Sequence, residues 1–178
     1  LVAAIVMEIL PLSSTWGQEL PPAYQDAAFW QETHEAYPLP MGMENSEVRS
    51  LIVDTESTVW IAAAAGVFIK KANHSQWKAV LAGEEMGPAF SVMTDAQSNV
   101  WVGTWKGVYR FENNQPKLIP GPEAPISVIC SAYKGVYAIG PKGIWFFNGQ
   151  NFIKKSYEIP RSVRDAVTDN QGGLWLAS

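Results

Sequence analysis

Two sets of residues in this chain have the types and spacing to do chemistry. One is a trio of aspartates, Asp54, Asp95 and Asp169; the other is Trp105 with Lys106 beside it. Paired carboxylates serve general acid–base catalysis, and an exposed indole next to an ammonium suits stacking on a sugar or other ring-bearing ligand. Each aspartate stands six residues ahead of a tryptophan (Trp60, Trp101 and Trp175). Its position is therefore set by a repeat, and a turn residue that accepts bonds from nearby amides fits it better than a catalytic dyad does. Trp105 instead lies where the copies of the repeat differ. The equivalent turn is Ala63-Ala64-Ala65 in the copy before and Ile139-Gly140-Pro141-Lys142 in the copy after. Trp105, Lys106 and Lys142 are the candidate ligand-binding residues, on one rim of the fold described next. The plainer alternative for Trp105 is that it folds over a neighbouring loop, and the acidic segment 83–88 is expected near the same rim.

Other reactive groups carry less. Cys130 is the sole cysteine, so no internal disulfide forms, and its apolar surroundings (Ile126 to Ser131) mark a buried structural thiol. His34 and His74 lie in polar stretches without a ligand-type partner and read as solvated surface. No nucleophile elbow, phosphate-cradling glycine loop or metal-ligand motif occurs. The sequence therefore names no catalytic residue, no metal ligand and no cofactor.

What must position these residues is a repeat. Val59-Trp60, Val100-Trp101, Val136-Tyr137 and Leu174-Trp175 close the same short phrase, with the aromatics 41, 36 and 38 residues apart. In the first three copies Gly66, Gly107 and Gly143 follow six residues later, each opening another apolar-aromatic pair. A period of roughly 35 to 45 residues built from short β segments is the signature of propeller blades. The copies parse as blades over 48–81, 89–119, 126–155 and a partial 163–178. In the first, the four strands fall at 48–54, 58–62, 66–70 and 76–81. Asn113-Asn114 and Asn148-Gly149 lie where a two-residue hairpin turn with positive φ is wanted. The third copy is shorter at its first turn and has Ala132 where the others have aspartate. Trp60, Trp101, Tyr137 and Trp175 are expected to pack between adjacent blades, and the three glycines to supply a positive φ or a close approach.

Composition agrees with a packed β protein: 178 residues, 47% hydrophobic and 12% aromatic, which is too apolar for a disordered segment. A net charge of -4 without a basic run argues against nucleic-acid binding. Residues 1–10, LVAAIVMEIL, are too short to span a bilayer, and Thr15 and Gly17 supply small residues for signal-peptidase cleavage. Residues 1–17 are thus read as the remainder of an export signal, with an apolar strand or short helix as the alternative. Residues 18–47 form a proline-rich lead-in, with a ring-closing strand expected near 28–33. The first residue is Leu and the last residues stop inside a repeat, so the chain is expected to be part of a longer protein.

The second copy, FSVMTDAQSNVWVGTWKGVYRF, and the fourth, VRDAVTDNQGGLWLAS, resemble the two-component regulator propeller repeat. The first copy departs from it at Ala62-Ala63, and the third at Tyr137 and Ala132. The resemblance covers about Val48 to Ser178. It implies a periplasmic or extracellular sensor propeller of a bacterial signalling receptor, without shared catalytic residues. A small molecule or oligosaccharide would be the ligand, and the remaining blades and a downstream signalling domain of the same chain the partners. The membrane would be met only through a later C-terminal segment. Two other classes stay open: a propeller-fold carbohydrate-active enzyme (lyase or glycosidase), and a secreted protein-binding scaffold. Three blades and part of a fourth cannot close a ring, so an open arc with exposed sheet faces at both ends is expected.

Overall fold

A computed structural model describes residues 36–83, 86–160 and 162–178. The expected export signal and the strand near 28–33 lie outside these residues, as does part of the acidic segment 83–88. The described chain is all β, a propeller of three complete four-stranded blades and two strands of a fourth. Blade 1 comprises β1 (Val48–Val53), β2 (Thr58–Ala63), β3 (Gly66–Lys71) and β4 (Lys78–Ala82). Blade 2 comprises β5 (Ala89–Thr94), β6 (Val100–Thr104), β7 (Gly107–Glu112) and β8 (Gln115–Ile119). Blade 3 comprises β9 (Val128–Ala132), β10 (Gly135–Gly140), β11 (Gly143–Phe147) and β12 (Phe152–Lys155). The fourth hairpin pairs β13 (Asp165–Thr168) with β14 (Leu174–Ala177). Every pairing is antiparallel between consecutive strands. The first-to-second and third-to-fourth turns of each blade therefore share one edge, and the second-to-third turns and the interblade linkers share the other.

The innermost strands β1, β5, β9 and β13 stand beside one another in order, whereas the outer β4 and β8 barely touch. Blades thus meet along their inner strands and splay outward. Hydroxyls on those strands stitch them together. Ser50 accepts from the Val92 amide (3.2 Å), Ser91 accepts from the Ile129 amide (3.1 Å), and Thr168 donates to the Ser131 carbonyl (2.9 Å).

The core is divided into layers between blades. Trp60, Ala62 and Val67 of blade 1 meet Val92, Val100 and Phe111 of blade 2. Trp101 and Val108 of blade 2 meet Ile129, Val136, Phe147 and Phe152 of blade 3. In both layers the tryptophan is struck edge-on by the phenylalanine five places into the next blade's third strand. Trp60–Phe111 and Trp101–Phe147 both have ring centroids 4.9 Å apart, with interplanar angles of 68° and 64°. The repeated aromatics are interblade packing at Trp60 and Trp101, as their period implied. Tyr137 is only half-buried, and Trp175 is 65% exposed against 2% for Trp60 and 1% for Trp101. Its face, shared with exposed Val167, meets no further blade among the described residues.

The other end is not bare. Leu39 and Met43 of the lead-in pack on Ile61, Ala63 and Phe68, leaving Leu51 and Val53 exposed. At the place of Phe111 and Phe147, blade 1 has Lys70, as the registers Val59–Lys70, Val100–Phe111 and Val136–Phe147 show. Its ammonium lies 3.8 Å from the centre of the Tyr37 ring. The Trp77 indole donates to the Tyr37 carbonyl (2.9 Å). The arc is therefore open at the fourth hairpin and partly covered at blade 1.

Turns follow the sequence with one correction. Asn113 and Asn114 have φ of 52° and 60° and form the expected two-residue turn. The stretch at Asn148 is instead a four-residue turn, 148–151, because the Asn148 carboxamide accepts from the Gln150 and Asn151 amides and only Gly149 turns left-handed. The glycine opening each third strand meets both conditions foreseen for it. Gly107, at φ 135°, would place a Cβ 2.5 Å from the Pro122 carbonyl oxygen, a contact no side chain tolerates.

Each repeated aspartate organises its turn and reaches further. One oxygen of Asp95 accepts from the Gln97 and Asn99 amides (both 2.9 Å), and the other from the Trp101 indole (2.7 Å). Asp54 holds Glu56, Thr58 and Trp60 in the same way, and Asp169 holds Gln171, Gly173 and Trp175. Partial burial pushes the Asp95 carboxyl up, but the bonds from Asn99, Trp101 and Gln97 outweigh it and leave the group below its ordinary 3.8. A depressed carboxylate contributes stability fully above its unfolded pKa and loses it as pH falls through the native value. Asp95→Ala should thus lower the urea unfolding free energy by about 2 kcal/mol at pH 7, the scale of charge-assisted bonds left unmade. The gap should narrow as pH drops below about 4. Equal midpoints for the two proteins at pH 7 would show that the aspartate is dispensable.

Candidate functional site

The edge that carries the second-to-third turns holds the residues chosen from sequence. Trp105 sits between β6 and β7 with 56% of its surface exposed. Its amide donates to the Pro88 carbonyl (2.9 Å), and the ring base rests on Gly87. Gly87 has φ 68°, and a Cβ there would lie 2.9 Å from the Trp105 Cβ, so only glycine leaves room for this seat. One side of Trp105 therefore lies over the neighbouring loop, and the rest faces outward. Beneath the turn, the buried Thr104 hydroxyl donates to the Gly107 carbonyl (3.0 Å) and accepts from the Lys106 amide (3.2 Å). That pair fixes the backbone from which Trp105 projects.

Lys106 and Lys142 are exposed on the same edge, in successive blades. Neither enters an ion pair among the described residues, where the ion pairs are Arg49–Glu47, Arg110–Glu112 and Lys117–Glu112. The arrangement sets an exposed aromatic surface and two exposed cations on one edge. Convergent titratable groups of the kind that catalysis needs are not brought together here.

Other reactive groups fall into structural places. Cys130 is buried on β9, where burial, helped by the Asp165 charge, pushes its thiol up to about 11. His74 is exposed. Burial also pushes the Tyr137 phenol up, and its hydrogen bond with Tyr157 adds to the shift. Among the described residues no three His, Cys, Asp or Glu side chains group together as metal ligands. No helix there is long and apolar enough to cross a membrane.

Sequence reasoning missed the second partner of each aspartate. The six-residue spacing to tryptophan was visible, but that the indole N–H falls within reach of a turn carboxylate depends on hairpin geometry. It also missed a groove on the opposite edge, lined by Asp54, Glu56, Glu112 and Asn114 among others, because its two walls come from different blades.

No family model matches this chain, and no curated protein matches it either. Solved structures do. The extracellular domain assigned to a hybrid two-component system of B. thetaiotaomicron superposes with a TM-score of 0.62 at 11% identity, over 78% of this chain and 20% of that one. A catalytically inactive virginiamycin B lyase from Staphylococcus aureus, solved with quinupristin, gives 0.60 at 14% identity, over 78% of this chain and 50% of that one. A chain of the mitotic checkpoint complex gives 0.56 at 15%, over 70% and 43%. This chain thus spans half or less of the length of each. Likeness at such identities establishes the propeller fold, which carries sensing, catalysis and protein assembly alike.

Because Cys130 is buried and its thiol resists ionisation, it should stay unlabelled by a thiol-reactive disulfide reagent at pH 8 in native protein and react within minutes once unfolded in urea. Fast labelling of folded protein would mean that the layer between blade 3 and the fourth hairpin opens.

Proposed function

We propose that this chain is a non-enzymatic, ligand-recognising propeller from an exported sensor of bacterial two-component signalling. Its ligand, a small molecule or oligosaccharide, stacks on the rim at Trp105. The observation that carries the reading is Trp105 itself. It is a large aromatic held outward by Gly87 and by a buried threonine, at a turn where the other blades have alanine or proline. Packing between blades does not require it, since that work falls to Trp60 and Trp101. Lys106 and Lys142 add cationic hydrogen-bond donors to the same edge, suited to ring oxygens and hydroxyls.

The assignment to signalling draws support from the repeat's resemblance to the two-component regulator propellers and from the likeness to an extracellular two-component domain. Export is supported by the apolar, small-residue character of residues 1–17. In this reading the blades are a scaffold and specificity belongs to the rim turns that vary between them.

Calorimetric titration with malto-, cello- and xylo-oligosaccharides tests the proposal. At least one series should bind saturably, and Trp105→Ala should weaken it roughly tenfold, the scale of one lost aromatic contact. Lys142→Ala should weaken it less. Binding that Trp105→Ala leaves unchanged would remove the rim from the account.

A further inference from the structure

The two ends of the arc carry complementary halves of one interblade layer. At each layer inside the arc the earlier blade supplies three groups. In blade 1 these are a hydrogen-bond acceptor on the inner strand (Ser50), an apolar residue two places on (Ile52) and the tryptophan paired with it (Trp60). In blade 2 they are Ser91, Met93 and Trp101. The register of the fourth hairpin puts Asp165, Val167 and Trp175 at the same three places. Val167 and Trp175 are exposed. The Trp175 ring is nevertheless already held as its buried counterparts are. Its indole donates to Asp169 at 2.8 Å, against 2.7 Å for Trp60 to Asp54 and for Trp101 to Asp95. This tail face is thus set as an interblade face before any partner arrives.

The later blade supplies the other half of each layer. Its inner strand offers an amide to the acceptor and buries the side chain of the same residue, Val92 in blade 2 and Ile129 in blade 3. In blade 1 that place belongs to Leu51, which is 54% exposed, with exposed Val53 two places on. Farther out, the same face of blade 1 is covered by Leu39 and Met43 of the lead-in. The bare part of this head face is therefore its inner strip. The described fourth hairpin is likewise an inner strip, consisting of β13 and β14 alone.

We infer that a second copy of this chain docks head to tail, the fourth hairpin of one copy on blade 1 of the other, and that the same junction made twice closes the pair into a ring. Contacts between unlike faces generate a ring when their rotation closes. Each copy brings four inner strands, β1, β5, β9 and β13, so the pair has twice four, which is within the usual range of blade number. At the junction the Leu51 amide donates to the Asp165 carboxylate, and Val167 and Trp175 lose their contact with water. Lys70, standing where Phe111 and Phe147 stand in the later blades, brings its ammonium to the Trp175 ring beside Asp169. The rim at Trp105 takes no part.

Sedimentation velocity on the whole chain at micromolar concentration tests this. The wild-type chain should sediment as a dimer. Val167→Glu on the tail face and Leu51→Glu on the head face should each weaken it roughly tenfold or more, the scale of a disrupted interface centre. Both residues are exposed in the single chain, so each variant keeps the fold, which circular dichroism checks. Mixing the two variants should restore a dimer held by one junction, because the intact tail of Leu51→Glu meets the intact head of Val167→Glu. Leu118→Glu, exposed on the outer strand of blade 2, should dimerise as the wild type does. A chain that stays monomeric overturns the inference and leaves the tail face to a blade of another polypeptide. A dimer broken by Val167→Glu but not by Leu51→Glu overturns it too, since tail would then meet tail. So do failure of the mixture to recover and growth of the wild type into longer polymers.

Discussion

Everything in this molecule depends on a tryptophan buried between two sheets with its one polar atom answered from a turn. A blade is a small twisted sheet that cannot hide both faces by itself, and the neighbouring blade supplies the missing cover. Trp60 and Trp101 provide most of the bulk in that cover; truncating such a residue to alanine typically costs about 3 to 5 kcal/mol. An indole this deep brings an N–H that must be paired. The aspartate six residues earlier pairs it and shapes the turn with its other oxygen. One side chain therefore ties together the hairpin, the inner strand and the interblade layer. That economy is why the repeat keeps the spacing while other positions drift.

The departures from the pattern support the same logic. In blade 3 the aspartate is Ala132 and the tryptophan is Tyr137, so both ends of the bond are missing together. With no indole to anchor, the turn contracts to Tyr133-Lys134, and the phenol that replaces the indole is raised in pKa by burial and by Tyr157 of the following linker. In blade 1 the phenylalanine that would meet a preceding tryptophan is Lys70, and the lead-in lays the Tyr37 ring over its ammonium. A phenylalanine there would meet an aromatic edge-on; a lysine instead favours a ring face. Blade 1 is thus fitted to its own lead-in at the place where blades 2 and 3 are fitted to a neighbour.

Much of this was legible in the sequence because the information is periodic. The tryptophans, aspartates and glycines recur in register. That sufficed for the blades, their order, and the structural roles of Gly107 and Cys130. What could not be read was whatever depends on two blades at once. Ser50 and Ser91 look like ordinary strand residues, yet their hydroxyls bond the inner strand of the next blade. The groove at Glu56 combines turns 40 residues apart in sequence. Asn148-Gly149 misled for a local reason: a side-chain acceptor at Asn148 closes a wider turn than its dipeptide signature implies. Trp105 was picked out because it breaks the repeat, though its dependence on Gly87 needed three dimensions.

The two edges of the propeller are chemically unlike, and this follows from how the strands run. Antiparallel order sends the aspartate turns of blades 1 and 2 and of the fourth hairpin to one edge, so acids gather there as a by-product of anchoring the tryptophans. Each aspartate itself is spent on its turn, which leaves the character of that edge to the residues the turn displays, such as Glu56, Ser98 and Gln171. The opposite edge carries turns of only two residues between second and third strands, too short to hold structural carboxylates. It is consequently free to vary, and it is where Trp105, Lys106 and Lys142 stand. A fold that fixes its repeated aspartates on one side and leaves short turns on the other presents two edges of unlike chemistry. Both edges can therefore vary without altering the layers between blades.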